Sequence, residues 1–110
     1  MPGPEEKKPI DKAKAAVKFI KENFPDEKYP DVAANCIKML KAYVGNLIKD
    51  PENEKFRKIN KENKAFKERV ANTQGGVVFL KAIGFEDKQT ILEVGKVDME
   101  LIKAAFELLG

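Results

Sequence analysis

No histidine occurs in the 110 residues, and Cys36 is the only thiol. Serine or cysteine nucleophiles activated by imidazole therefore cannot be assembled from this chain. A single cysteine also excludes an intramolecular disulfide and any multi-cysteine zinc site, which fits a reducing compartment, cytoplasmic or nuclear. No metal and no cofactor are expected. No apolar run approaches the roughly 20 residues that span a bilayer. The first ten residues, MPGPEEKKPI, hold three prolines and several charges where a secretory leader would be apolar. A phosphate-cradling P-loop pattern is missing, and no repeat or low-complexity tract interrupts the chain.

What is present is the make-up of one globular domain: 43% hydrophobic and 35% charged residues, in a chain too short for two separate cores. Lys+Arg 21 against Asp+Glu 18 leaves +3, too small a surplus to argue for nucleic acid without clustering. Residues 1–10 read as a flexible lead. Asp11 stands as an N-cap before an amphipathic helix from Lys12 to Asn23, with Ala13, Ala16, Val17 and Ile20 on one face and lysines opposite, ended by Pro25. Asp31 caps a longer helix whose apolar face runs from Val32 through Cys36, Leu40, Val44 and Leu47. Cys36 on that face reads as a small buried hydrophobe, since no base is at hand to form its thiolate.

Asp50-Pro51 reads as a helix restart over Pro51 to Ile59, with Phe56 and Ile59 on one face. Asn63 caps a short helix from Lys64 to Arg69, with Phe66 turned inward. Thr73 caps the next helix, which ends at Gly84. Gly75 and Gly76 in its first turn cost roughly 1 kcal/mol each against alanine, so their small size serves close packing or a pocket wall. Thr90 to Val94 reads as a strand pairing with the segment around Phe85. Asp98 caps the last helix, with Val97 and Ile102 as a hydrophobic staple.

Three functions compete. Catalysis is weakest, since acid and base roles would fall to solvated carboxylates among lysines. Nucleic-acid binding has a local basis. Between Glu54 and Val70 lie seven bases, Lys55, Arg57, Lys58, Lys61, Lys64, Lys67 and Arg69, against Glu54, Glu62 and Glu68. Yet these bases fall on several faces, and only Phe56 and Phe66 offer stacking. Recognition of an acidic peptide fits best: an aromatic wall, asparagine amides for a peptide backbone and lysines for carboxylates come together in one stretch.

From about Pro25 to Gly110 the chain resembles the PUB (also PUG) domain of cytosolic peptide:N-glycanase, of UBX-domain cofactors and of the linear-ubiquitin ligase subunit. The resemblance rests on N-L-I-K-D-P at 46 to 51, E-K-F-R-K-I at 54 to 59, N-K-A-F at 63 to 66, Q-G-G-V-V-F-L at 74 to 80 and I-G-F at 83 to 85. It implies an α+β fold, mainly helical with a small antiparallel sheet near the C-terminal third, preceded by residues 11–24 as an extra helix. It further implies a monomeric, non-catalytic domain that docks the acidic, aromatic-containing C-terminal tail of the AAA ATPase valosin-containing protein, in ubiquitin-dependent and ER-associated degradation. The implied peptide-binding residues are Asn46, Lys55, Phe56, Asn60, Asn63, Gly84 and Phe85. Two depart from the glycanase pattern. Phe56 stands where tyrosine is usual, and Asn60 where an arginine helps to hold tail carboxylates, a loss that Lys58 or Lys61 would have to offset.

Overall fold

A computed structural model of the chain describes residues 8–110. Most of the expected flexible lead lies outside the described residues. Helix α1 begins at Pro9 and runs Pro9–Asn23, earlier than its spacing predicted. Proline at the first helical position lacks only an N–H that has no partner there. Asp11, expected as the cap, instead lies within the first turn, where its charge favours the positive end of the helix. Ala13, Ala16, Val17 and Ile20 are buried, so α1 belongs to the core rather than standing apart from it.

Helix α2, Val32–Lys49, runs through the centre and buries Ala33, Cys36, Leu40, Val44 and Leu47. Asp31 precedes it as expected but caps nothing with its side chain; its backbone takes φ +64°, a left-handed turn that aspartate tolerates better than most residues. Cys36 is fully buried, and burial pushes its thiol above the ordinary range although the Thr73 hydroxyl, 3.2 Å away, opposes this.

The expected helix over Pro51 to Ile59 does not form. A 3₁₀ turn, Glu54–Arg57, is followed by strand β1, Lys58–Asn60. Asn53, not Asp50, supplies the capping oxygen, and Asp50 closes the end of α2 through its N–H to the Asn46 carbonyl at 2.9 Å. Ile59 is inward because a strand alternates, with Lys58 and Asn60 exposed on either side. Helix α3, Lys64–Arg69, has its Asn63 cap and buried Phe66 as expected.

Helix α4, Gly75–Ala82, follows a 3₁₀ turn at Ala71–Thr73. Thr73 lies one residue before the residue that flanks the helix, yet its hydroxyl accepts the Gly76 N–H at 3.3 Å and donates to the Val70 carbonyl at 2.8 Å. The flanking residue itself is Gln74, at φ 57° and ψ −49°, sparsely populated backbone for any residue with a side chain. Both glycines serve close packing. A Cβ on Gly75 would stand 2.6 Å from Ile20 Cγ1 of α1, and one on Gly76 2.7 Å from Val70 Cγ1 and 3.0 Å from Cys36 Sγ. Gly76→Ala is expected to lower the urea midpoint with an unchanged slope. Overpacking costs about 1–3 kcal/mol and better helix propensity returns about 1, for a net loss of up to about 2 kcal/mol.

Strands β2, Phe85–Asp87, and β3, Ile91–Val94, form the expected hairpin, and β1 adds to its other side in the order β1-β3-β2, all antiparallel. The sheet thus draws on the C-terminal half rather than its last third. Helix α5, Met99–Leu108, is capped by Asp98, whose carboxylate accepts the Leu101 N–H at 3.3 Å. Phe66, Phe79, Leu40, Leu47, Leu80, Ile83, Leu92 and Ile102 fill the space between the helices and the sheet. No helix among the described residues is long and apolar enough to cross a membrane.

Candidate functional site

The 3₁₀ turn is built by Asn53, whose side-chain oxygen accepts the Lys55 N–H at 2.9 Å and whose carbonyl accepts that of Phe56 at 3.0 Å. This holds Lys55 out in solvent and lays the half-buried Phe56 ring against the core. The turn is pinned from behind by Arg57. Its guanidinium donates to the Val94 carbonyl at 3.2 Å and to that of Gly95. Sequence reasoning took Arg57 for one more surface cation; only the pairing of β1 with β3 reveals its partners.

Register places the remaining residues. Lys58 pairs with Glu93 and Phe85 with Val94, so the 3₁₀ turn and the Gly84-Phe85 reversal lie at the same end of the sheet, on either side of β3. Asn60 pairs with Ile91 at the opposite end, roughly 7 Å along the strand from Lys58. Asn63 follows Asn60 there, its N–H bonded to the Asn60 carbonyl at 3.1 Å. The expected residues are thus strung along β1, with Lys55 and Phe56 at one end and Asn60 and Asn63 at the other.

Their freedom to act differs. Asn63 Oδ1 accepts the Phe66 N–H at 3.1 Å, which leaves its NH2 group to donate outward. Asn60 Oδ1 is likewise engaged, by the Glu62 N–H at 2.8 Å. Asn46, half-buried one turn before the end of α2, has no side-chain hydrogen bond among the described residues. Its neighbour Gly45 faces Phe106 of α5, so that glycine serves helix packing and not the approach of a ligand. Gly84 takes φ +119°, which only glycine adopts without strain. Phe85 is 2% exposed; its ring supports the reversal from inside and offers no face to a ligand.

The basic cluster read from the sequence is largely neutralised. Lys58 faces Glu93, Lys61 faces Asp87 at 2.7 Å, Lys64 faces Glu68 and Lys67 faces Glu62, while Arg57 is turned to backbone carbonyls. Among the described residues, Lys55 and Arg69 are the members of the seven without such a partner. Of the two lysines expected to offset Asn60, Lys61 is committed to Asp87, whereas the 4.0 Å exposed pair of Lys58 is loose.

Asp87 also accepts the Gln89 N–H at 3.1 Å, and with Lys61 first among the causes its carboxyl is held below the usual carboxylate range. A lowered folded-state value means that the bridge stabilises above the ordinary carboxylate value and is lost as pH falls through the folded-state value. The thermal midpoint of Asp87→Asn is therefore expected to lie below that of the parent at neutral pH and to converge on it in acid. Melts of both proteins across that range check this.

Residues 30–105 match the PUB domain, covering the long helix, the turn, the sheet and most of α5. The chain belongs to the PUB domain family. It is 40% identical over 63 residues to UBX domain-containing protein 6 of Caenorhabditis elegans, a stretch covering 57% of this chain and 14% of that protein. It is 37% identical over 73 residues to plant UBX domain-containing protein 2 of Arabidopsis thaliana, covering 66% of this chain and 14% of the relative. The human peptide-N(4)-(N-acetyl-beta-glucosaminyl)asparagine amidase matches at 35% over 63 residues, 57% of this chain and 10% of the enzyme. The chain thus spans a small part of each of these relatives, and helix α1 lies outside the matched PUB region.

Proposed function

We propose that this PUB domain is a non-catalytic adaptor that docks the acidic, aromatic-containing C-terminal tail of the AAA ATPase valosin-containing protein, bringing a parent protein to ubiquitin-dependent degradation in the cytoplasm. One observation carries the reading. Once the internal ion pairs are drawn, Lys55 stands unpaired among the described residues on a turn beside the half-exposed face of Phe56. An acidic segment followed by an aromatic matches that pair, and the amide groups of Asn63 and Asn46 are free to donate to its backbone. Recurrence of the domain in UBX domain-containing proteins and in an asparagine amidase supports a docking role that is independent of the attached chemistry. Asn60, with no charge to offer, makes the affinity lower than an arginine there would allow.

Fluorescence anisotropy with a labelled tail peptide tests the proposal. Saturable binding that weakens with salt and is lost in Lys55→Glu is expected; no binding at millimolar protein would overturn it. The nucleic-acid alternative is weakened, since Lys61 is held by Asp87 and Arg57 is turned to backbone carbonyls.

A further inference from the structure

A groove of about 780 Å³ runs between α1 and α4. Its floor is made of small residues, Ala15, Ala16, Gly75 and Ala82, because the missing Gly75 side chain lets the two helices approach. Phe19 and Val78 form its walls. They are 42% and 52% exposed, and with Tyr29 they make up the exposed large hydrophobic residues among those described. Val78 faces water although its neighbours Phe79 and Leu80 on α4 are buried. An exposed pair of this kind beside a concave apolar floor marks an interaction surface more often than a solvated face.

The rim carries the second observation. Lys12 and Lys81 line the groove, and among the described residues no aspartate or glutamate does. Along β1 and α3, by contrast, lysines face carboxylates. From Pro9 to Phe19 the α1 wall rises roughly 15 Å, the length of about three helical turns.

We propose that this groove docks an acidic amphipathic helix of a partner protein, with apolar side chains at i, i+3 or i+4 and i+7 laid on the alanine and glycine floor between Phe19 and Val78, and carboxylates reaching Lys12 and Lys81. The apolar floor supplies the affinity of a helix-in-groove contact and the two lysines select the sign of the partner. Half of the groove is α1, outside the matched PUB region, and its lining shares no residue with the proposed tail site.

The test is a titration of isotope-labelled protein with two synthetic three-turn helical peptides that share one leucine stripe, one carrying glutamates on its other faces and one carrying lysines. The glutamate peptide is expected to shift the amide signals of Lys12, Ala15, Phe19, Gln74 and Val78 together, and the lysine peptide to leave them in place. Val78→Asp, at an exposed position, should weaken the glutamate peptide at least tenfold with an unchanged unfolding midpoint. Lys81→Glu should remove the preference between the peptides without touching the floor. Equal binding of both peptides, shifts centred on Phe56 and Asn63, or no shift at millimolar peptide would each overturn the proposal. So would sedimentation showing that the protein self-associates through this face and that Val78→Asp makes it monomeric.

Discussion

Phe66→Ala is expected to lower the unfolding free energy by about 3–5 kcal/mol, the range for truncating a fully buried aromatic. The ring is 1% exposed and belongs to the main core. It anchors a helix only six residues long, too short to hold its shape without tertiary packing. The Tyr43 ring of α2 lies 6.4 Å away at a tilted angle, so the substitution also strips one side of that half-buried phenol. Phe66 further supplies the N–H that Asn63 accepts, so loosening the helix also loosens Asn63, one of the residues proposed to hold the tail. Urea unfolding should show the loss in stability, and the variant should bind the tail peptide poorly even where it remains folded. Phe66→Leu, which keeps most of the volume, should recover a large part of both.

Asn63 separates two roles that a single truncation would confuse. Removing its cap costs about 1 kcal/mol, while a hydrogen bond from its NH2 is worth about 0.5–1.5 kcal/mol to a backbone acceptor of the tail and about 1.5–3 kcal/mol to a charged one, roughly two- to tenfold or ten- to hundredfold in affinity. Serine caps helices about as well as asparagine but has no amide to offer. Asn63→Ala should therefore lose both stability and affinity. Asn63→Ser should keep the unfolding midpoint and lose the affinity. If the serine variant binds the tail as the parent does, Asn63 is a cap and nothing more.

What could be read from the sequence divides along the range of the interactions involved. Asn63 and Asp98 were legible as caps because a cap bonds to a backbone N–H three residues on, and the same holds for the apolar face of α2. Strand β1 was not legible. Three residues carry no period, and Phe56 and Ile59, three apart, imitate a helical stripe until Ile59 meets Leu92 of β3. The left-handed turn at Asp31 and the backbone of Gln74 left no mark either, since neither is a glycine.

The site shows the same division. Asn63 is where local patterning puts it, at the cap of α3, whereas Lys55 and Phe56, expected on a helix, lie on the 3₁₀ turn. The fate of the basic cluster depended on contacts across the sheet. Glu93 and Asp87 are 35 and 26 residues from the lysines they face, so counting charges along the chain overstated the cluster. Phe85 looked like a ligand contact because it follows a glycine at a reversal. Opposite Val94 in the sheet it points inward, beside Gly84.

The most direct measurement is a titration of isotope-labelled protein with the acidic, aromatic tail peptide, followed by amide chemical shifts. Tail docking predicts one cluster of shifts at Asn46, Lys55, Phe56, Asn63 and Gly84, with the α1 and α4 groove unmoved. Shifts at Phe19 and Val78 without that cluster, or none at millimolar peptide, would contradict it.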